Sequence, residues 1–417
     1  MITQQSIFFI YTMKCIREQR SSIDIYGAPC FFIWKSIGGC KMKNFGIKTN
    51  IYFGEGSLEY LQNIKGKKVF VVTDPFMVKS GTINKITDNL IGREYEIFSD
   101  IVPDPPIELV VSGIEKIGKF NPDTIVALGG GSAIDAAKAI MDFSKKIVNI
   151  KEIEFIAIPT TSGTGSEVTS FAVITDKEKG IKYPLVSDEL LPNSAILDPE
   201  LVKSAPDFIT ADTGMDVLTH AIEAYVSKNA TDFSDALAEK AVSLVFKYLI
   251  RAYKNGNDIE AREKMHNASC LAGLAFNAAS LGINHSIAHV LGGKFHIPHG
   301  RTNAILLPHV IEYNANISGY TSTNYSITAN KYSNLAKIVG LSNSNIRGNV
   351  KSLVNEIKKM QKNMNMPTTL SECGIKSDEV LKVKNEIAKI AIKDACTITN
   401  PRTPNDIEII DILQKIK

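Results

Sequence analysis

The feature that most constrains this chain is a change of texture near residue 198. Before it, four β-branched runs recur: KKVFVVTD (67–74), YEIFSD (95–100), TIVALGG (124–130) and EFIAIPT (154–160). Segments with helical spacing at 76–90, 107–120 and 132–146 lie between them. Connections of that length are what parallel strands require, so the pattern predicts an α/β domain, a parallel sheet covered by helices. FAVITD, the turn KEKG, KYPLV and SAILD then predict a hairpin and one more strand. Beyond residues 199–206, where two prolines bracket a short connection, helical periodicity takes over at 213–228, 234–254, 258–280 and 284–294. The second domain is therefore expected to be all-α. The expected organisation is an extension at 1–42, an α/β domain at 43–203 and a helical domain at 204–417.

The charge balance narrows the partners. Lys and Arg total 47 against 44 Asp and Glu, a net charge of +3 over 417 residues. Residues 1–41 hold that whole excess, with Lys14, Arg17, Arg20, Lys35 and Lys41 against Glu18 and Asp24. The rest is formally neutral, which argues against nucleic acid as a partner. The six cysteines (15, 30, 40, 270, 373 and 396) form no CxxC, so neither a zinc knuckle nor a disulfide framework is expected, and a cytoplasmic setting fits. No apolar run approaches the ~20 residues that span a bilayer, so no membrane association is expected. The hydrophobics of 1–42 lack a clear period. Two readings stand: a disordered or upstream-translated extension with Met42 as the natural start, or an amphipathic targeting peptide that loads cargo into a protein-shelled compartment.

All seven histidines (220, 266, 285, 289, 296, 299 and 309) fall in one 90-residue window. Asp216 and His220, and again His285 and His289, are four residues apart in helical patterns and so share a face about 5–6 Å apart. His299 follows in IPHGRTN, where Pro298 and Gly300 suggest a break that could turn an imidazole inward. One carboxylate with several imidazoles suits iron(II) or zinc better than calcium or magnesium. The alternative is a packed helical interior.

GGGSAIDAAK (129–138) follows a strand and opens a helix, a place where backbone N–H groups and side-chain-free glycines can receive an anion. GxGxxG would need Gly where Ile134 stands, so the loop alone reads as a phosphate-binding turn or an unliganded tight turn. PTTSGTGSEVT (159–169) offers hydroxyls to a phosphate or ribose, or is a solvated loop. Asp74, ending a strand, is placed for an adenosine ribose, for capping the helix that starts at Pro75, or for both.

Together, GGGSAIDAAK, PTTSGTGSEVT, TGMDVLTHAIEAYVS and FNAASLGINHSIAHVLGGKFHIPHGRTNAILLPHV resemble the iron-dependent (group III) alcohol dehydrogenases from about Asn44 onward. Within that family the chain is most similar to the short-chain 1-propanol or ethanol dehydrogenases of diol and ethanolamine utilisation. The resemblance implies a dehydroquinate synthase-like pairing of an N-terminal dinucleotide-binding domain with a C-terminal metal-binding domain. It implies metal ligands at Asp216, His220, His285 and His299, and a non-ligand His289 beside the nicotinamide. The diphosphate would lie on Gly130, Gly131 and Ser132, with Asp135 supporting the turn and Thr160, Thr161 and Thr164 lining the groove. Asp104 would sit on the adenosine side and Lys182 by the nicotinamide ribose. Asp74 matches a selector between NAD and NADP. A carboxylate there would face a 2′-phosphate, and one like-charge pair at ~4 Å and effective ε ~20 costs about 4 kcal/mol, which favours NAD(H). A homodimer through N-terminal strands, and service as bacterial microcompartment cargo, are implied in the same way.

The implied reaction interconverts small primary alcohols and aldehydes, such as 1-propanol and propanal, by hydride transfer. An alcohol must lose a proton near pKa ~15.7 while a histidine titrates near ~6.5, a gap of about 12 kcal/mol that a side-chain base alone does not close. The cation therefore carries the main burden, and His289 a proton relay at most. Phe171, Phe276 and Cys396 are expected either to wall a small apolar substrate pocket or simply to pack the core. The competing readings are a polyol (glycerol-type) dehydrogenase or cyclising lyase of the same fold, and a noncatalytic scaffold with a vestigial site.

Overall fold

The strands of the first unit are buried along nearly their whole length at the centre of the sheet and partly exposed at its two edges, which is why the central ones read as continuous apolar runs rather than alternating ones. They are β1 (Asn50–Phe53), β2 (Lys68–Thr73), β3 (Glu94–Phe98), β4 (Thr124–Gly129), β5 (Glu154–Pro159) and β8 (Ser194–Leu197), in one parallel sheet of spatial order β1-β8-β5-β4-β2-β3. A computed structural model describes residues 44–148, 150, 152–178, 181–317 and 326–417, with the backbone of 36–37 and 40–41. The extension at 1–42, read from the sequence as disordered or targeting, otherwise lies outside the described residues. The chain folds as two units, Gly46–Thr161 with Gly165–Val202, and Ser162–Thr164 with Lys203–Lys417.

Alternate strand residues build two cores in the first unit. Phe70, Val72, Ile125, Ala127, Phe155 and Ala157 pack under α3 (Ile107–Phe120) and α4 (Gly131–Ile147). Val69, Val71, Val126, Leu128, Ile156 and Ile158 pack on the opposite face with Leu61, Ile83 and Ile86. The single helix expected at 76–90 is instead two short ones, α1 (Pro75–Lys79) and α2 (Asn84–Thr87). Gly81, at φ 75°, turns the chain between them through a left-handed conformation that ends a helix. The hairpin forms as β6 (Phe171–Asp176) and β7 (Ile181–Val186), a separate antiparallel pair.

The second unit is helical: α5 (Asp207–Val226), α6 (Asp232–Lys254), α7 (Ile259–Ala279), α8 (Ile283–Phe295), α9 (His299–Ala315), α10 (Ile327–Ile338), α11 (Ile346–Asn363), α12 (Ser377–Lys393), α13 (Ala395–Thr399) and α14 (Asp406–Lys415). Helix α5 is buried on almost every side, which explains its lack of a polar stripe. Gly214 lets α6 approach it, since a methyl there would overlap Leu249. Among the described residues no helix is long and apolar enough to cross a membrane.

One polar tie in the first unit has a measurable pH signature. Lys138, in the middle of α4 and fully buried, donates to Ser166 Oγ (3.0 Å) and to the carbonyls of Thr169 and Phe171 (2.7 Å each). Burial pushes Lys138 down to about 8 against the pull of Asp135 and Glu167, and pushes the buried Glu167 up to about 7 against a backbone N–H and Lys138. Because the folded state raises Glu167, its contribution to stability is fully present below the ordinary carboxylate value and is lost as pH rises through about 7. Lys138 has the opposite sign and acts only above about 8, where stability rises with pH. Melting curves of the native chain and Glu167→Gln should therefore lie together near pH ~4.5 and separate as the pH rises to ~7, with the native chain losing on the order of 3 kcal/mol relative to the variant. Parallel curves would show that Glu167 does not take up a proton in this range.

Candidate metal centre

Asp216 and His220 project from one face of α5, His285 from the first turn of α8, and His299 opens α9. Their ligand atoms all lie within 4.8 Å of one another. Asp216 Oδ1 is 3.8 Å from His285 Nε2 and 3.7 Å from His299 Nε2. The His220 and His285 rings stack at 4.7 Å, and those of His285 and His299 lie 5.3 Å apart. Tetrahedral bonds of ~2.0–2.2 Å separate ligand atoms by about 3.3–3.6 Å, so a transition-metal ion fits this set with small side-chain adjustments.

Local sequence explains the convergence. His296, at φ 56°, ends α8 in the left-handed region, and Pro298 leads into α9. Gly300 then lets α9 begin directly against α5, because a methyl would overlap the Asp212 carbonyl. Arg301 fastens the contact by donating to both Asp212 oxygens at 3.2 and 2.9 Å. Burial holds the His220 imidazole below its ordinary range, and burial with neighbouring imidazoles holds His285 well below it. Neutral imidazole is the state that binds a metal.

Residues that sequence reasoning missed orient the set. Glu223 Oε2 accepts from His285 Nδ1 at 2.5 Å, which leaves the Nε2 lone pair toward Asp216, and Glu223 Oε1 accepts from the Asn284 N–H at 2.7 Å. Asn284 Nδ2 donates to Asn303 Oδ1 (2.9 Å). Asn303 Nδ2 in turn donates to Asp216 Oδ1 (2.7 Å) and lies 3.1 Å from both His285 Nε2 and His299 Nε2. With two hydrogens it can serve two of these three acceptors at once. The available signal was periodic: 216, 220 and 223 share a helical face, and Asn303 stands one turn after His299. His289 is not among the four. Its Nδ1 lies 3.0 Å from Asp394 Oδ2 and its ring 5.5 Å from that of His299. Phe276 is buried with its ring 4.6 Å from His220, whereas Phe171 belongs to the first unit.

In the first unit, the residues expected around the diphosphate gather at the carboxyl ends of β2, β4 and β5. There β2 leads outward to β3 while β4 leads the other way to β5, a switch point that opens a crevice. Gly130 precedes α4 and Gly131 and Ser132 open it, while Thr160 N donates to the Gly129 carbonyl at 3.0 Å and Thr161 Oγ1 lies against Gly130. Asp74 caps α1 by accepting from Phe76 N (2.8 Å) and Met77 N (3.1 Å), with its other oxygen toward Gly129. Thr164 falls in the short segment that belongs to the second unit. Asp135 accepts from Ser166 Oγ (2.6 Å) and Val173 N (3.0 Å), so its described bonds run to the segment after β5 rather than to the glycine turn. Lys182 Nζ and Asp104 Oδ1 form an ion pair at 2.5 Å, so these two stand together rather than at opposite ends of a dinucleotide.

Comparison with known proteins agrees across both units. Residues 48–199 match the family model described as iron-containing alcohol dehydrogenase, and 210–417 the C-terminal model of the Fe-containing alcohol dehydrogenase family. The chain is 45% identical to a 1-propanol dehydrogenase of Citrobacter freundii over 90% of its own length and all of the relative's. It is 43% identical to an NADPH-dependent butanol dehydrogenase of Clostridium saccharobutylicum, covering 89% of this chain and 97% of that one. The crystal structure of a sulfoacetaldehyde reductase from Bifidobacterium kashiwanohense in complex with NAD+ superposes with a TM-score of 0.78 at 30% identity, covering 90% and 98% of the two chains.

The Glu223 contact predicts metal retention. Glu223→Gln keeps the size of the side chain but removes the carboxylate that orients His285, and should weaken metal binding by about 10- to 100-fold in competition with a chelator. Unchanged retention would mean that packing alone holds the imidazole.

Proposed function

The chain belongs to the iron-containing alcohol dehydrogenase family, and on that premise we propose that it interconverts small primary alcohols and aldehydes with NAD(H) and a divalent iron held by Asp216, His220, His285 and His299. Alcohol–aldehyde interconversion is common to the 1-propanol and butanol dehydrogenases it resembles, and the polyol alternative is not favoured by them. The observation that carries the reading is the meeting of those four ligand atoms within 4.8 Å. When bound, the ion supplies Lewis acidity to the alcohol or aldehyde oxygen. The chain's residues do the rest. Asn303 and Glu223 keep the ligands aimed, and Asp394 anchors His289 through Nδ1 so that Nε2 is free to pass a proton. Phe276 offers an apolar wall to a short carbon chain, with Cys396 as a further wall candidate. Gly130, Gly131 and Ser132 receive the diphosphate, with Thr160, Thr161 and Thr164 along the groove, and Lys182 with Asp104 serves one ribose.

Asp74 is the residue proposed to choose NAD over NADP, since its free oxygen can accept from a ribose 2′-OH and repels a 2′-phosphate. The finer assignments are part of the same proposal. A homodimer through N-terminal strands draws support from β1, an edge strand whose Phe53 is exposed. Microcompartment cargo, addressed by residues 1–42, rests on the extension lying outside the family match.

Two measurements test this reading. Anoxic NADH consumption with propanal and iron(II) should be readily observed, and His285→Ala should lose metal and turnover together by more than about a thousandfold; full activity in a metal-free His285→Ala protein would reject it, and activity on glycerol with none on propanal or acetaldehyde would favour the polyol alternative. Asp74→Ser keeps a helix-capping oxygen but removes the charge, and should raise the NADPH-to-NADH ratio of kcat/KM at least about tenfold. A ratio that stays put would place the selector elsewhere.

A further inference from the structure

Beside the four ligands stands a second group of metal-binding side chains, and we propose that His289, Asp394 and Cys396 form a separate site for a thiophilic divalent cation, zinc, whose occupancy inhibits the enzyme. Their ligand atoms lie within 4.8 Å of one another. One imidazole, one carboxylate and one thiol make a zinc donor set that leaves a fourth position for water, and the thiol disfavours magnesium or calcium.

The fold aims these groups at one another. Asp394 Oδ1 accepts from Cys396 N (2.9 Å) and Ser286 Oγ (3.1 Å), which fixes the carboxylate and leaves Oδ2 facing His289 Nδ1 at 3.0 Å. The Cys396 Sγ lies within 4.8 Å of the ligand atoms of Asp394 and His289. An ion has a way in, since the side chain of His289 is 44% exposed and that of Asp394 21%. A thiol binds a metal as the thiolate, so the ion enters by displacing the thiol proton.

Charge decides whether two ions can be neighbours. The His285 and His289 rings are 6.0 Å apart, a range at which two bare divalent ions would repel strongly. A cation held by Asp216 and three neutral imidazoles carries one net positive charge. A cation held by a thiolate, a carboxylate and an imidazole carries none, so its ligands cancel the repulsion. An ion bound here ties up His289 Nδ1 and Asp394, removing His289 from proton transfer. That inhibitory consequence rests on the function proposed above; the binding itself does not.

The four-ligand centre contains no thiolate, so thiolate-to-cobalt charge transfer in the near ultraviolet reports this second site alone. Anaerobic titration of the iron-loaded protein with cobalt(II) should produce that band, saturating at about one cobalt per chain, with zinc abolishing it. Cys396→Ser should lack the band, and Asp394→Asn, a second variant that keeps the thiol, should weaken cobalt binding at least about tenfold. Zinc should lower turnover of the native chain at least about tenfold while lowering that of Cys396→Ser less than about twofold from its own zinc-free rate. No band, a band surviving in Cys396→Ser, or equal zinc inhibition in both proteins would overturn the proposal. A protein with no turnover on any alcohol would reject the dehydrogenase reading and leave the cobalt result standing.

Discussion

Asp216 is a carboxylate shut in with three imidazoles, and much of the second unit serves to keep it there. A buried carboxylate is expensive unless donors or a cation compensate it. Asn303 provides one hydrogen bond, and the surrounding geometry leaves room for a cation to provide the rest. The requirement reaches outward from that point. Asn303 is held by Asn284, whose own backbone N–H goes to Glu223, whose other oxygen orients His285. A single connected polar network thus links α5, α8 and α9, and every member limits where the next can point.

Close backbone approach is the second condition. The helical unit needs helix axes nearer than ordinary side chains permit, and glycine allows this at two places, one of them the contact between the ligand-bearing helices α5 and α9. Gly214 admits α6 beside α5, and Gly300 admits the first turn of α9 against the Asp212 carbonyl. The bidentate Arg301–Asp212 pair then prevents the junction from sliding. His299 remains more exposed than the other three ligands, which leaves the centre open on one side to a substrate.

The first unit solves a different problem. Its parallel strands place loops, not helices, at their carboxyl ends, and the reversal between β2 and β4 separates two of those loops into a crevice. Lys138 and Asp135, both on α4, spend their polar atoms on the segment that follows β5. A buried cation and its acceptors therefore hold that segment in place, while the glycine turn itself keeps no side chain in the way of a ligand.

Periodicity alone revealed the parallel strands and the helical second unit, because burial imprints itself on residue order: β2 and β4 have unbroken apolar interiors, and α5 presents Asp216 and His220 on one face. It also exposed Asp216, His220, His285 and His289 as candidates, since helical spacing is local, while the break around His299 marked that residue and the family resemblance set His289 apart from the ligands. The break at Gly81 escaped it, because the residues flanking a left-handed turn still carry helical spacing. So did Glu223, Asn284 and Asn303, whose importance lies in what they touch across 19 to 87 positions of chain. Likewise the Asp104–Lys182 pair and the convergence of Asp394 with His289 join residues 78 and 105 positions apart. Side-chain type and spacing determined which groups could do chemistry; only packing in three dimensions decided which of them meet, because hydrogen bonds and ion coordination depend on distance through space.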